Sequence, residues 1–124
     1  MKLFTIEEAE GLLPSIRPKL EAIRDLYIHL ATLREPAKAA ASASDHGGGM
    51  AGGAAYVKTL YNVGKLTTEI LSLGIELKDY SRGLIDFPSL RSGRIVLLCW
   101  HLDEGDTIEW WHETDAGFAG RQKL

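Results

Sequence analysis

A single cysteine in 124 residues rules out an internal disulfide and a zinc cage built from several thiolates. Positive charge is also short. Fourteen Lys and Arg stand against 17 Asp and Glu, a formal net charge of −3, and no basic stripe is present to track a nucleic acid. Long apolar runs are missing: no stretch of about 18 apolar residues could span a membrane. The opening MKLFTIEEAE turns acidic with no apolar core of a signal peptide. The expectation is a cytoplasmic protein that engages neither nucleic acid nor membrane. Phosphate-loop chemistry is excluded as well. The glycines at 47–49 and 52–53 follow no strand and precede no Gly-Lys-Ser/Thr. No Ser or Cys triad is legible, nor a carboxylate pair at catalytic spacing.

What remains is an ordinary single domain, 45% apolar and 25% charged, long enough to bury a core without staples. Residues 1–35 read as helical. Thr5 and Glu8 have capping-box spacing, and Glu7, Glu8 and Glu10 suit a helix N-terminus. Pro14 and Pro18 predict a kink or break near Leu13, with Ser15 capping a second segment. Ile16, Leu20, Ile23, Tyr27 and Leu30 form one apolar stripe, and Pro36 is expected to stop the helix. Residues 36–55 read as a flexible Ala/Gly-rich loop; Asp45 and His46 within it are weak metal candidates. A second helix is expected over 56–73, with Tyr56, Leu60, Val63, Ile70 and Leu73 as its stripe and Gly74 as its stop. The two stripes predict an antiparallel hairpin. Their spacing, close to 3.5 residues, suits either packing on the sheet or pairing with a second copy into a homo-oligomer.

After Gly74 the apolar period changes to two, and residues 75–112 read as an antiparallel β-meander of about four short strands. The strands are Ile75–Lys78, Leu84–Phe87 ended by Pro88, Arg94–Leu102, and Thr107–His112. The run Ile95–Trp100 predicts a strand that is covered on both faces or central. A three-residue loop at Asp103-Glu104-Gly105 sets Trp100 against Ile108 and Leu98 against Trp110. One face then carries Val96, Leu98, Trp100, Trp110 and His112, and the other Cys99, His101 and Glu109. A two-residue turn at Glu104-Gly105 exchanges faces and puts Cys99, His101 and His112 together. Residues 113–124 form a tail that Phe118 should dock.

The candidate ligand-binding residues are Asp86, Cys99, His112 and Arg121. Asp86 sits between Ile85 and Phe87 and needs a partner, for which Arg91, Arg94 and Arg121 are candidates. Cys99 lacks a cation or base close enough to make it a nucleophile, since His101 lies about 7 Å along the strand. No metal is expected in the preferred register; in the slipped one, Cys99, His101 and His112, with Asp86 as a fourth ligand, become a transition-metal set, and Asp86, Cys99 and His112 are its alternative ligand assignment. The cofactor is left unknown and a small-molecule ligand is admitted.

Five segments also carry a resemblance: FTIEEAEGLLP, GIELKDYSRGLIDFPSL, GRIVLLCW, EWWH and GFAGRQKL. Together they resemble a bacterial family known as domain of unknown function 2203, over the whole chain except the 36–55 loop. The resemblance implies that Asp86, Pro88, Cys99, Trp100, His112, Gly117, Phe118 and Arg121 matter, that His101 does not, and that the protein is soluble and bacterial. It implies no activity. The resulting expectation is an α+β domain: a kinked N-terminal helix and a helical hairpin packed on the meander. Its first functional reading is a non-catalytic interaction or oligomerisation module. The second is a ligand- or metal-binding protein, possibly an enzyme, with a polar site near Asp86, His112 and Arg121.

Overall fold

The computed structural model describes residues 1–44 and 51–124, and side chains over 1–34 and 53–124. It is an α+β fold of two helices and a five-stranded antiparallel sheet in the order β1-β2-β3-β4-β5. Among the described residues no helix is long and apolar enough to cross a membrane.

Helix α1 runs Ile6–Ser44, 39 residues without a break. Its start is the expected capping box: Thr5 N–H donates to Glu8 Oε1, and Glu8 N–H to Thr5 Oγ1, each at 3.0 Å. The expected kink is absent, as is the stop at Pro36. Pro14 and Pro18 lie four apart on the exposed side, where the carbonyls they leave free can meet water. On the other side Ala9, Leu13, Ile16, Leu20 and Ile23 form one unbroken buried stripe through both prolines. Burial of that stripe outweighs the helix-breaking tendency. Helix α2 spans Ala51–Leu71 and packs along α1. The loop expected over 36–55 is therefore largely helix, and Asp45 and His46 lie outside the described residues. The buried face of α2 is Thr59, Val63, Thr67 and Ile70, while Leu60 and Leu73 of the expected stripe are exposed.

Gly74 ends the helical half at φ 93°, where a Cβ would sit 2.8 Å from Lys2 Cβ. The strands then meander: β1 Glu76–Asp79, β2 Leu84–Arg91, β3 Arg94–Trp100, β4 Trp110–Glu113 and β5 Gln122–Lys123. Pro88 does not end β2 as expected. Its carbonyl accepts from Phe4 N–H at 2.7 Å, so its nitrogen points to the same side, beyond the end of β1, where no ladder donor is required. Ser92-Gly93, both at positive φ, turns β2 into β3.

The last hairpin corrects the preferred register. Leu98 pairs with Trp111, Cys99 with Trp110 and Leu97 with His112. Trp100 and Trp110 thus lie on opposite faces, and Cys99 does not face Glu109. The tight turn fails because Leu102 and Ile108 fold inward to the core. Residues 101–109 become a longer connection pinned to α1. There Arg17 Nη2 donates to Gly105 O, Trp100 Nε1 donates to the same carbonyl, and Ile108 N–H donates to Glu10 Oε2. Ile85, Phe87, Val96, Leu98, Trp100 and Trp111 face the helices in one core. The opposite face of β2, β3 and β4 carries Asp86, Leu97, Cys99, Trp110 and His112.

Candidate functional site

That second face is roofed by the returning chain. After β4 the residues Thr114–Gly117 and a short 3-10 turn, Phe118–Gly120, lead back to β5 on the sheet edge. A cavity of about 150 Å³ is left between roof and sheet. Its walls include Lys78, Leu84, Thr114 and Phe118, and its floor carries Asp86, Cys99 and His112.

Strand register brings the floor residues together. Asp86 and Cys99 are directly paired across β2 and β3. His112 faces Leu97, one step diagonal to Cys99 across β3 and β4. One donor atom from each residue lies within 4.8 Å of the other two. The Asp86 and His112 side chains are each only 3% exposed. His112 Nε2 lies 3.1 Å from both Asp86 oxygens. Its Nδ1 lies 2.8 Å from the Glu113 carbonyl. A carbonyl only accepts, so Nδ1 carries a hydrogen and the neutral ring presents its Nε2 lone pair to Asp86. Two acceptors at that distance need a proton between them, or a cation in its place.

Burial pushes the Asp86 carboxyl above the usual aspartate range, and its contacts with His112 oppose this only in part. Burial, with the Asp86 charge beside it, pushes the Cys99 thiol up to about 12. Cys99 is thus a protonated thiol rather than a nucleophile. An oxygen, a sulfur and a nitrogen from three strands is a donor set able to hold a transition metal.

Three of the four expected residues, Asp86, Cys99 and His112, meet on the cavity floor, and Arg121 stands outside it. The Asp86 partner is His112, and no arginine reaches it. Arg94 pairs with Glu113, and Arg91 stacks on Trp111. Arg121 approaches Cys99 from outside the cavity, with Nη1 4.0 Å from Sγ. It is held by Glu104 at 2.8 Å and stacks on Trp110 and Phe118. Glu104 escaped sequence reasoning because it stands in a segment that reads as a hairpin turn. Its carboxylate also accepts from His101 N–H. Lys78 and Thr114 gave no sequence signal; only the fold places them at the cavity. His101 is buried against Phe118 and stands outside the three-donor group.

A family model described as an uncharacterized conserved protein, DUF2203, matches residues 2–124. No curated protein and no solved structure matches the chain.

Proposed function

Since the chain belongs to the DUF2203 family, whose description names no activity, the corner itself has to supply the reading, and we propose that the protein binds a small ligand there. One observation carries this: three buried groups able to donate to a ligand share the floor of a roofed cavity. Polar atoms in a folding core are usually satisfied or absent, and an apolar trio would have filled this face more simply. A cytoplasmic setting, where a lone thiol stays reduced, suits the reading. Native mass spectrometry of the full chain, purified without chelator, tests it. The expected result is a bound mass that disappears on denaturation and in Ala116→Trp, which fills the cavity. A bare chain overturns the reading if its Tm also ignores metal salts and small carboxylates, phosphates and amines.

A second reading, self-association, is favoured by the outer side of α2. Val57, Leu60, Tyr61, Gly64, Thr68 and Leu71 form a stripe without charge on the exposed side of that helix. Tyr61 is 69% exposed. Beside it Tyr61, Gly64, Lys65, Thr68 and Glu69 line a shallow hollow, the first four at successive helical positions. Their spacing is that of the four-residue hole that receives a side chain in paired helices. The stripe therefore offers both knob and hole to a second copy. Sedimentation velocity should show a dimer that Tyr61→Glu converts to monomer. A wild-type monomer at all concentrations removes this reading.

A further inference from the structure

We propose that the ligand of the corner is one divalent transition-metal ion of the zinc class, held by an Asp86 oxygen, Cys99 Sγ and His112 Nε2, with its fourth position open to the cavity. The inference rests on the binding reading above and names the ligand.

Around a tetrahedral zinc ion, bonds of about 2.0–2.3 Å space the donors roughly 3.3–3.8 Å apart. The three donors here already lie within 4.8 Å of one another, so side-chain rotation of about an ångström closes the set. The backbones need not move, because adjacent antiparallel strands fix all three Cα positions. The orientation of the histidine follows. The Glu113 carbonyl takes the Nδ1 hydrogen and aims the Nε2 lone pair at the site, as an outer-sphere carbonyl does for a metal-bound histidine.

A thiolate, a carboxylate and a neutral imidazole set two negative charges against a dication, so the occupied site carries no net charge. The donors select the metal: one thiolate and one imidazole suit zinc, and the lone carboxylate excludes a calcium or magnesium site. The Arg121 guanidinium beside the sulfur adds a donor to a metal-bound thiolate, a further outer contact of the kind that tunes such sites. Thr114 and Lys78 line the same cavity, which leaves room for water or a small exogenous donor at the fourth position.

The test is titration of the chelator-treated full chain with Co²⁺, then Zn²⁺. One equivalent of cobalt should bind, with intense tetrahedral d–d absorption and a thiolate-to-cobalt charge-transfer band. About two protons should appear in unbuffered solution per ion bound, and zinc should displace the cobalt. Cys99→Ser should abolish the charge-transfer band. Asp86→Asn, which keeps a partner for His112, should weaken binding by more than the roughly 100-fold that loss of an outer-sphere partner costs. Circular dichroism checks that both variants fold. Failure of folded wild-type protein to give the cobalt spectrum overturns the metal assignment. If native mass spectrometry then still shows an organic mass lost in Ala116→Trp, the binding reading stands with a different ligand. If it shows none, both fail.

Discussion

Two aspartates seven residues apart show how the same side chain acquires opposite chemistry. Asp79 sits at the end of β1, where its Oδ1 accepts from Ser81 N–H at 2.9 Å, Ser81 Oγ at 2.8 Å and Arg82 N–H at 3.1 Å. The carboxylate closes the turn into β2, and these bonds hold its pKa below the usual range. Asp86 meets few donors and much apolar surface, and its pKa rises. The sign at Asp79 gives a pH-dependent prediction. A carboxyl whose native pKa is depressed adds stability above its unfolded value, near 3.9, and loses that stability as pH falls toward the native value. Asp79→Ala should cost about 1 kcal/mol at neutral pH. Urea denaturation from pH 7 to pH 3 should show the wild-type advantage shrinking below about pH 4. A gap independent of pH would mean that the turn owes its stability to backbone geometry alone.

At the scale of elements, local chemistry was readable and compensation was not. The capping box, the Gly74 stop and the change of period all act within a few residues, and each appears where the sequence puts it. The run Ile95–Trp100 announced a strand that is covered on both faces or central; β3 is the middle strand, buried from Val96 to Trp100, with Ile95 exposed at its start. Three things depended on distant partners. Pro14 and Pro18 stay helical because Leu13, Ile16 and Leu20 are buried in one core with Ile70 and the sheet, far along the chain. Pro88 stays in β2 because β1, whose first residue Glu76 pairs with Asp86, does not extend opposite it. The last register depends on Arg17 and Glu10 reaching from α1 to residues 101–109. That register decides the site: Asp86, Cys99 and His112 were all named from sequence, yet only the slipped alignment brings them together. If burial alone keeps α1 continuous, removing a proline should help. Pro14→Ala restores a helix hydrogen bond and removes a steric clash, worth up to about 3 kcal/mol in a helix interior. Part of this is offset by the freer unfolded chain. The expected net gain is ~1–2 kcal/mol, read as a higher urea midpoint with unchanged slope. A loss of stability would show that the proline ring itself packs usefully.

Across the whole molecule, the sheet separates two interiors of different character. One side, against the helices, is apolar and anchored by Phe87, Leu98 and Trp100. The other holds the polar corner and is covered by only a thin layer of chain, residues 114–121. Phe118 is the main weight in that layer. Arg82 and Arg121 flank its ring at 4.1 Å and 4.2 Å, and His101 meets its edge. A roof made of one aromatic ring and a two-residue edge strand should open without the core unfolding, as weakly packed segments do. Cys99 reports on that opening because it is buried beneath it and pairs with no other cysteine. In the wild type, an aromatic disulfide reagent should modify Cys99 slowly, since the thiol is both covered and protonated. Phe118→Ala should raise the rate about tenfold, the factor given by ~1.4 kcal/mol less opening free energy. The urea midpoint, set by the opposite interior, should move much less. A bound ion on the three donors should slow the reaction again in both proteins, because it occupies the sulfur itself. Equal rates in wild type and variant, both tracking global unfolding, would show that roof and core open as one unit and that entry to the corner requires unfolding.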